Sequence, residues 1–336
     1  MKIAVVIPFF QRESGILRKA IDSVLAQELA AGVTASIVVV DDGSPVSPEP
    51  DLAHLAAEQR AAVTVLRQPN AGPGAARNRA LDHVAATGAD YVAFLDSDDI
   101  WKPQHLRDAT EALAMGYDFY FCDHTRFDSA SSYADLLPAL AAIRDPAVKG
   151  HMVIDSAGPV LTAAPDAMLE AFTTDYLCQT STVVLRQSAV RTLRFDCQLR
   201  GAGEDHLFWI ALCAEGARVA MSWRVNVLCG RGVNLYFDSF DFATVRAVNR
   251  IGYICLLSCK CQDLLPRSAN SKSHVQKARI YMRGYSYMFI RALLRGQRPD
   301  LRLFRALWRR YPFMPLAMPF RFLAVLPHRE REFRLW

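Results

Sequence analysis

Three carboxylates fall within four positions at Asp96-Ser97-Asp98-Asp99, directly after the apolar run Tyr91-Val92-Ala93-Phe94-Leu95. Anions packed so closely repel one another. Hard divalent cations bind through oxygen, typically one or two carboxylates plus substrate phosphates. The spacing therefore suits Mg²⁺ or Mn²⁺ at the carboxyl end of a buried strand, where open α/β sheets bind ligands. It equally suits a solvated loop in which Asp99 caps a helix starting near Lys102-Pro103. The segment alone leaves both open.

Two further acid pairs share that kind of position. Asp41-Asp42-Gly43-Ser44 ends the β-branched run Ser36-Ile37-Val38-Val39-Val40. Its carboxylates could accept hydrogen bonds from ribose hydroxyls or a base N–H, or could build a plain Asp-Gly turn. Glu204-Asp205 opens a helix after Gly201-Ala202-Gly203. Acids there complement the helix dipole, or one could serve as a general base. The stretch Asn70-Ala71-Gly72-Pro73-Gly74-Ala75-Ala76-Arg77-Asn78-Arg79 lacks the Gly-Lys-Ser/Thr ending of a P-loop. It also lacks the third glycine of the dinucleotide fingerprint, because Arg77 stands there. What remains is a glycine turn feeding a helix whose first turns carry guanidinium groups, suited to a phosphate or a base edge.

The elements that must position these groups alternate from the start. Residues 3–9 read as a buried strand, followed by a helix with Ile16, Leu17, Ala20, Ile21, Val24 and Leu25 on one face. Strands are predicted at 36–40, 63–66, 91–95, 117–122 and 180–185, and an extended run at 219–228. Helices are predicted at 52–62, 75–86, 103–115 and 207–215. That alternation predicts an α/β fold with a mostly parallel sheet flanked by helices. Residues 124–178 read as loops and short elements. From 243 onward the pattern is helical, over 243–265, 273–294 and 301–308. Two domains are expected, 1–240 with the strands and 241–336 with the basic helices.

Composition narrows the class. Apolar residues make up 51% of the 336 and charged residues 22%, ordinary for a globular enzyme. Eight scattered cysteines without a Cys-x-x-Cys fit reduced thiols in the cytoplasm, not a disulfide framework or zinc site. The apolar run that opens the chain meets Pro8 too soon for a signal peptide, and no run is long enough to span a bilayer. The net charge of +5 is uneven: residues 267–336 hold 16 Lys and Arg against 3 Asp and Glu, while residues 1–266 hold 23 against 31. A basic tail on an acidic body implies an anionic partner. Trp and Phe rings interleave with arginine over 305–316, which suits an anionic membrane surface. No nucleic-acid-binding motif accompanies the charge.

Five segments in order carry a resemblance: Val6-Ile7-Pro8-Phe9-Phe10, Val40-Asp41-Asp42-Gly43-Ser44, Gly74-Ala75-Ala76-Arg77-Asn78, Phe94-Leu95-Asp96-Ser97-Asp98-Asp99 and Gly203-Glu204-Asp205. Together, over about residues 1–235, the chain resembles glycosyltransferase family 2, inverting enzymes of the GT-A nucleotide-sugar fold. The resemblance implies that Pro8 and Phe9, with Asp42 and Arg77, bind the nucleotide base. It implies that Asp96 lies near the ribose, and that Asp98 holds Mn²⁺ or Mg²⁺ on the diphosphate with Asp99 beside it, the DXD arrangement. Asp205 becomes the catalytic base, with Glu204 adjoining it in the substrate site. Cys229-Gly230-Arg231-Gly232-Val233-Asn234-Leu235 departs from the His-bearing version of many members, and Arg231 takes the phosphate contact instead. Leu207-Phe208-Trp209 stands where processive members carry Gln-x-x-Arg-Trp, which implies one sugar per encounter.

The resemblance thus implies a transferase moving a sugar from a nucleoside-diphosphate sugar, UDP-linked by family habit, to a lipid-linked saccharide in bacterial surface-polysaccharide or exopolysaccharide assembly. Such an enzyme is expected to be peripheral on the cytoplasmic face of the membrane. A nucleotidyltransferase would need a glycine-rich loop where Phe9-Phe10-Gln11-Arg12 stand. A non-catalytic nucleotide-sugar or membrane-binding protein is the alternative from another class.

Overall fold

The computed structural model describes residues 1–140, 152–153, 160–162, 164–230, 241–265 and 271–335. They fall into two compact units. One comprises Met1–Phe195 and Phe208–Val233, the other Asp196–Leu207 and Asn234–Trp336.

The first unit is built on one sheet. Its strands are β1 (Lys2–Phe9), β2 (Thr34–Asp41), β3 (Val63–Arg67), β4 (Tyr91–Phe94), β5 (Ile100–Trp101), β6 (Phe119–Arg126), β7 (Met152–Val153), β8 (Val160–Thr162), β9 (Val183–Arg186) and β10 (Val219–Cys229). They lie in the order β3-β2-β1-β4-β9-β6-β10-β8-β7, with β5 paired to β10. β3, β2, β1 and β4 run parallel, in the register Val6↔Val38 and Val6↔Phe94. β9 then inserts antiparallel between β4 and β6, so the sheet is mixed. β10 pairs parallel with β6, with register shifts between Ser222 and Val227.

The helices of ten residues or more are α1 (Ile16–Leu25), α2 (Pro73–Ala85), α3 (His105–Ala114), α4 (Pro165–Thr174), α5 (Glu204–Ala214), α6 (Val245–Leu264), α7 (Ser271–Leu294), α8 (Leu301–Arg310) and α9 (Met314–Val325). Side chains alternate across a strand. Ile3, Val5, Ile7 and Phe9 of β1 share a core cluster with Leu17 and Ile21 of α1 and Leu106 of α3. Ala4 and Val6 between them are equally buried, so both faces of β1 are covered, as its unbroken apolar run predicts. A separate ring cluster joins Phe94, Phe119, Phe172, Phe195 and Trp209, with Phe94 5.6 Å from Phe195 and Phe119 5.3 Å from Trp209.

Several sequence expectations change. The helix foreseen over 52–62 is two short ones, Glu49–Leu52 and Ala57–Ala61. Residues 124–178, read as loops and short elements, contain the ten-residue α4, opened by Pro165 in its first turn. α9 lies beyond the last helix foreseen, 301–308, with Pro315 in its first turn and Pro319 inside it. The second unit packs α6 to α9 around Ile251, Tyr285, Met288, Leu303, Leu307 and Met318. All eight cysteines stand outside disulfides, and only Cys197 is exposed. No helix among the described residues is long and apolar enough to cross a membrane.

Candidate active site

The acid turn sits where β4 ends. Leu95 N donates to Val6 O at 3.0 Å, carrying the β1–β4 pairing one step further. Asp99 N then donates to Asp96 O at 3.1 Å and closes the reversal into β5. Three segments brace the carboxylates. Arg77 Nη2 from α2 donates to Asp96 Oδ1 at 2.7 Å, with its guanidinium 5.5 Å over the Phe195 ring. Gln179, preceding β9, donates through Nε2 to Asp99 Oδ2 at 2.9 Å and Asp96 Oδ2 at 3.3 Å. Ser181 Oγ donates to Asp99 Oδ2 at 2.6 Å and accepts from Asp96 N at 2.9 Å. Gly230 N, just beyond β10, donates to Asp99 Oδ1 at 2.8 Å. Here glycine is required by space: a Cβ on residue 230 would lie 2.1 Å from Asp98 O and 3.0 Å from Asp98 Oδ2.

Asp99 is therefore a strut. It is 2% exposed, and burial, then the charges of Asp98 and Asp96, push its carboxyl well above the ordinary range. The capping role open to it in sequence is absent, since α3 starts later, at His105, with Gln104 before it. Asp98 differs: among the described residues only its own backbone N–H donates to its carboxylate. Burial, then neighbouring Asp96, raises its pKa to about 6. A half-buried carboxylate with no donor from another residue, beside two other acids, fits a divalent cation, whose charge would offset that cost. No group of three or more His, Cys, Asp and Glu among the described residues could cage a metal. Any cation there depends on water and substrate oxygens for its remaining ligands, the habit of Mg²⁺ and Mn²⁺ on diphosphates.

The neighbouring turn after β2 is used differently. Asp42 is 3% exposed, and its Oδ1 accepts from Gln68 Nε2 at 2.7 Å and Ala71 N at 2.8 Å. Its Oδ2 accepts from Gly72 N at 2.8 Å. Asp42 thus ties down the glycine loop that feeds α2 and Arg77. Asp41 Oδ1 accepts from Ser44 N at 2.8 Å, the Asp-Gly turn proper. Pro8 lies in β1 opposite Val40, whereas Phe9 is 1% exposed and its ring belongs to the core. Gln11 Nε2 donates to Ser97 Oγ at 2.9 Å, while its buried Oε1 has no partner among the described residues.

The structure brings Arg77, Asp96, Asp98 and Asp99 together in the first unit. Glu204 and Asp205 belong to the second unit, at the start of α5. Gly203 before them has φ +88°, and a Cβ there would meet Leu257 Cδ2 at 2.8 Å, so a glycine launches the helix. Glu204 is 8% exposed, and Asp205 Oδ1 accepts from His206 N at 2.7 Å. Arg231 lies outside the described residues. Gln179, Ser181, Gln11 and Gly230 escaped the sequence reading. Uncharged residues eighty or more positions from the acids give no local signal; the β4–β9 pairing brings Gln179 and Ser181 alongside, while Gln11 follows β1 and Gly230 follows β10.

The mixed sheet flanked by helices is that of GT-A glycosyltransferases. Solved structures of that class share the fold. S. aureus TarS 1-349 in complex with UDP-GlcNAc superposes with a TM-score of 0.54 at 16% identity, covering 86% of this chain and 72% of that one. The mannosyltransferase PcManGT from Pyrobaculum calidifontis, in complex with GDP-Man and Mn²⁺, gives 0.53 at 16%, covering 96% and 85%. The family model described as Glycosyl transferase family 2 matches residues 4–138. The succinoglycan biosynthesis protein ExoW of Rhizobium meliloti (strain 1021) is 36% identical over 248 residues, 71% of this chain and 72% of the relative. The chain belongs to glycosyltransferase family 2 and is a glycosyltransferase.

Proposed function

We propose that the chain is a divalent-metal-dependent, inverting glycosyltransferase that moves one sugar per encounter from a nucleoside-diphosphate sugar, UDP-linked in first preference, to a hydroxyl of a lipid-linked saccharide during polysaccharide assembly. It acts as a peripheral protein on the cytoplasmic face of the membrane. One observation carries the metal part: Asp98 is the acid of the turn to which no other described residue donates a hydrogen bond, while Asp96 and Asp99 are braced by several. The polysaccharide setting is supported by similarity to ExoW, named for succinoglycan biosynthesis. The donor class is supported by the UDP-GlcNAc and GDP-Man complexes of the fold neighbours.

Asp98 would hold Mn²⁺ or Mg²⁺, which when bound would supply Lewis-acid neutralisation of the diphosphate. The residues do the rest. Arg77, Gln179, Ser181 and Gly230 hold Asp96 and Asp99 fixed, so that Asp98 is presented in one orientation without reorganisation. Asp205 takes the proton of the acceptor hydroxyl onto its carboxylate as that oxygen bonds the anomeric carbon. The bond from that carbon to the donor's diphosphate breaks on the opposite face, which inverts the configuration. Pro8 and Asp42 border the nucleotide, and Arg231 meets its phosphates.

Release of nucleoside diphosphate from a panel of nucleotide sugars, with Mn²⁺ and with chelator, tests the proposal. Metal-dependent release is expected, and Asp205→Asn is expected to lose at least about a hundredfold in rate with donor affinity unchanged. Donor binding without any release would instead favour a non-catalytic nucleotide-sugar-binding protein. Unaltered turnover in Asp205→Asn would remove that residue from the base role.

A further inference from the structure

α9 has the wrong surface for a helix at the edge of a water-soluble unit. Met314, Met318 and Val325 on one side are buried in the helical core, and Phe322 stacks on Tyr287 at 5.2 Å. The opposite side is apolar too. Phe313, Leu316, Phe320 and Leu323 recur at helical spacing and are 78%, 72%, 75% and 62% exposed. Arg321 is the helix's single charged residue. A helix apolar all round is normally buried all round, and contiguous exposed apolar surface marks an interaction site.

α8, joined to it through residues 311–313, supplies the complementary charge. Leu303 and Leu307 face the core, and Arg302, Arg305 and Arg309 form a stripe on the exposed side, spaced three and four apart. None of these three forms an ion pair with a described residue, whereas Arg310 is tied to Asp263 at 2.7 Å. Trp308, half exposed, donates its indole N–H to Pro312 O at 3.1 Å, which leaves the ring against the turn with its polar atom satisfied. Residues 301–329 hold six arginines and no Asp or Glu.

We infer that α8 and α9 form a two-part docking surface for an anionic lipid bilayer. The α9 face of Phe313, Leu316, Phe320 and Leu323 enters the acyl boundary, and the α8 arginines rest on lipid phosphates. Phenylalanine and leucine at that depth with guanidinium groups reaching for headgroups is the chemistry of an interfacial helix, one that lies on the bilayer and does not span it. A second protein copy is disfavoured by charge, because two such faces would bring two arginine stripes together. The inference deepens the membrane part of the proposed function, and its test reads no sugar transfer. A negative result therefore removes the docking surface while metal-dependent diphosphate release still stands or falls by itself.

The test is co-sedimentation of the full chain with vesicles of phosphatidylcholine alone or with about a third phosphatidylglycerol. Binding is expected only with the anionic lipid and is expected to weaken steeply as salt rises. Phe320→Ser with Leu323→Ser should lower the partition coefficient tenfold or more, with thermal unfolding unchanged because both side chains are exposed. Changing Arg302, Arg305 and Arg309 together to Gln should lower it about a hundredfold, and changing all three to Lys should restore most of it. Equal partition of the wild type and both variants would overturn the inference. So would a chain that ignores vesicles but runs as a dimer that Phe320→Ser dissociates.

Discussion

Two acidic turns end two parallel strands that flank β1, and they look alike in sequence. After β2, Asp41 and Asp42 meet Ser44, Gln68, Ala71 and Gly72, so the protein itself supplies every carboxylate there with donors. After β4, donors from Arg77, Gln179, Ser181 and Gly230 go to Asp96 and Asp99, and Asp98 between them keeps only its own backbone N–H. The first turn uses charge to hold a loop. The second uses two charges to hold a third in a state that a folded chain would otherwise avoid. Donor supply, more than acid content, separates the two turns.

The contrast can be broken most forcefully at Asp98. Asp98→Asn is expected to lower turnover by at least about a hundredfold and to abolish the gain in donor affinity on adding Mn²⁺, followed by nucleotide titration with and without metal. The same change should stabilise the metal-free chain by about 1 to 2 kcal/mol near neutral pH, because it removes a carboxylate whose ionised form is disfavoured by burial. Asp42→Asn should do the reverse. Its amide would face the N–H groups of Ala71 and Gly72, costing about 2 to 3 kcal/mol in a denaturant midpoint. Equal stability in the two variants would erase the distinction between the turns.

Smaller effects sharpen it. Gly230→Ala must displace Asp98 O and should lower turnover about tenfold or more, while a substitution to Ala at exposed Gly88 on the same unit should leave it unchanged. Gln179→Leu removes the donor shared by Asp96 and Asp99 and should raise the half-saturating Mn²⁺ about tenfold. The smallest effect is on acid stability. His124 is buried against Tyr133, and burial, then Arg126, lowers its pKa from 6.5 to about 4. Since the folded value lies below the unfolded one, the unfolded chain binds protons first. Stability is full above pH 6.5 and falls as pH drops toward 4. His124→Gln should flatten part of that slope in thermal melts recorded across the range.

Pattern reading reached the strands that hold the acids because their apolar runs are long and uniform: 3–9, 36–40 and 91–95 fall on β1, β2 and β4. It reached the acid turn because carboxylates at that density stand out from their surroundings. It missed what depends on partners distant in the chain. β5 has two residues, and its pairing with β10 leaves no periodicity to read. Gln179 and Ser181 matter only because an antiparallel strand is inserted next to β4, where a regular alternation would place a parallel one. α9 lies past the last helix foreseen; its Pro315 stands in the first turn, where proline removes no hydrogen bond.

The distribution of sulfur in the fold has a practical use. Seven thiols are sealed and one, Cys197, is at the surface. A maleimide dye added to the native chain should attach at that one place, ten residues or fewer from Glu204 and Asp205, with no engineering of the sequence. Each further equivalent taken up under mild denaturant would time the opening of a particular part of the interior. The unaltered protein carries its own stopwatch for unfolding.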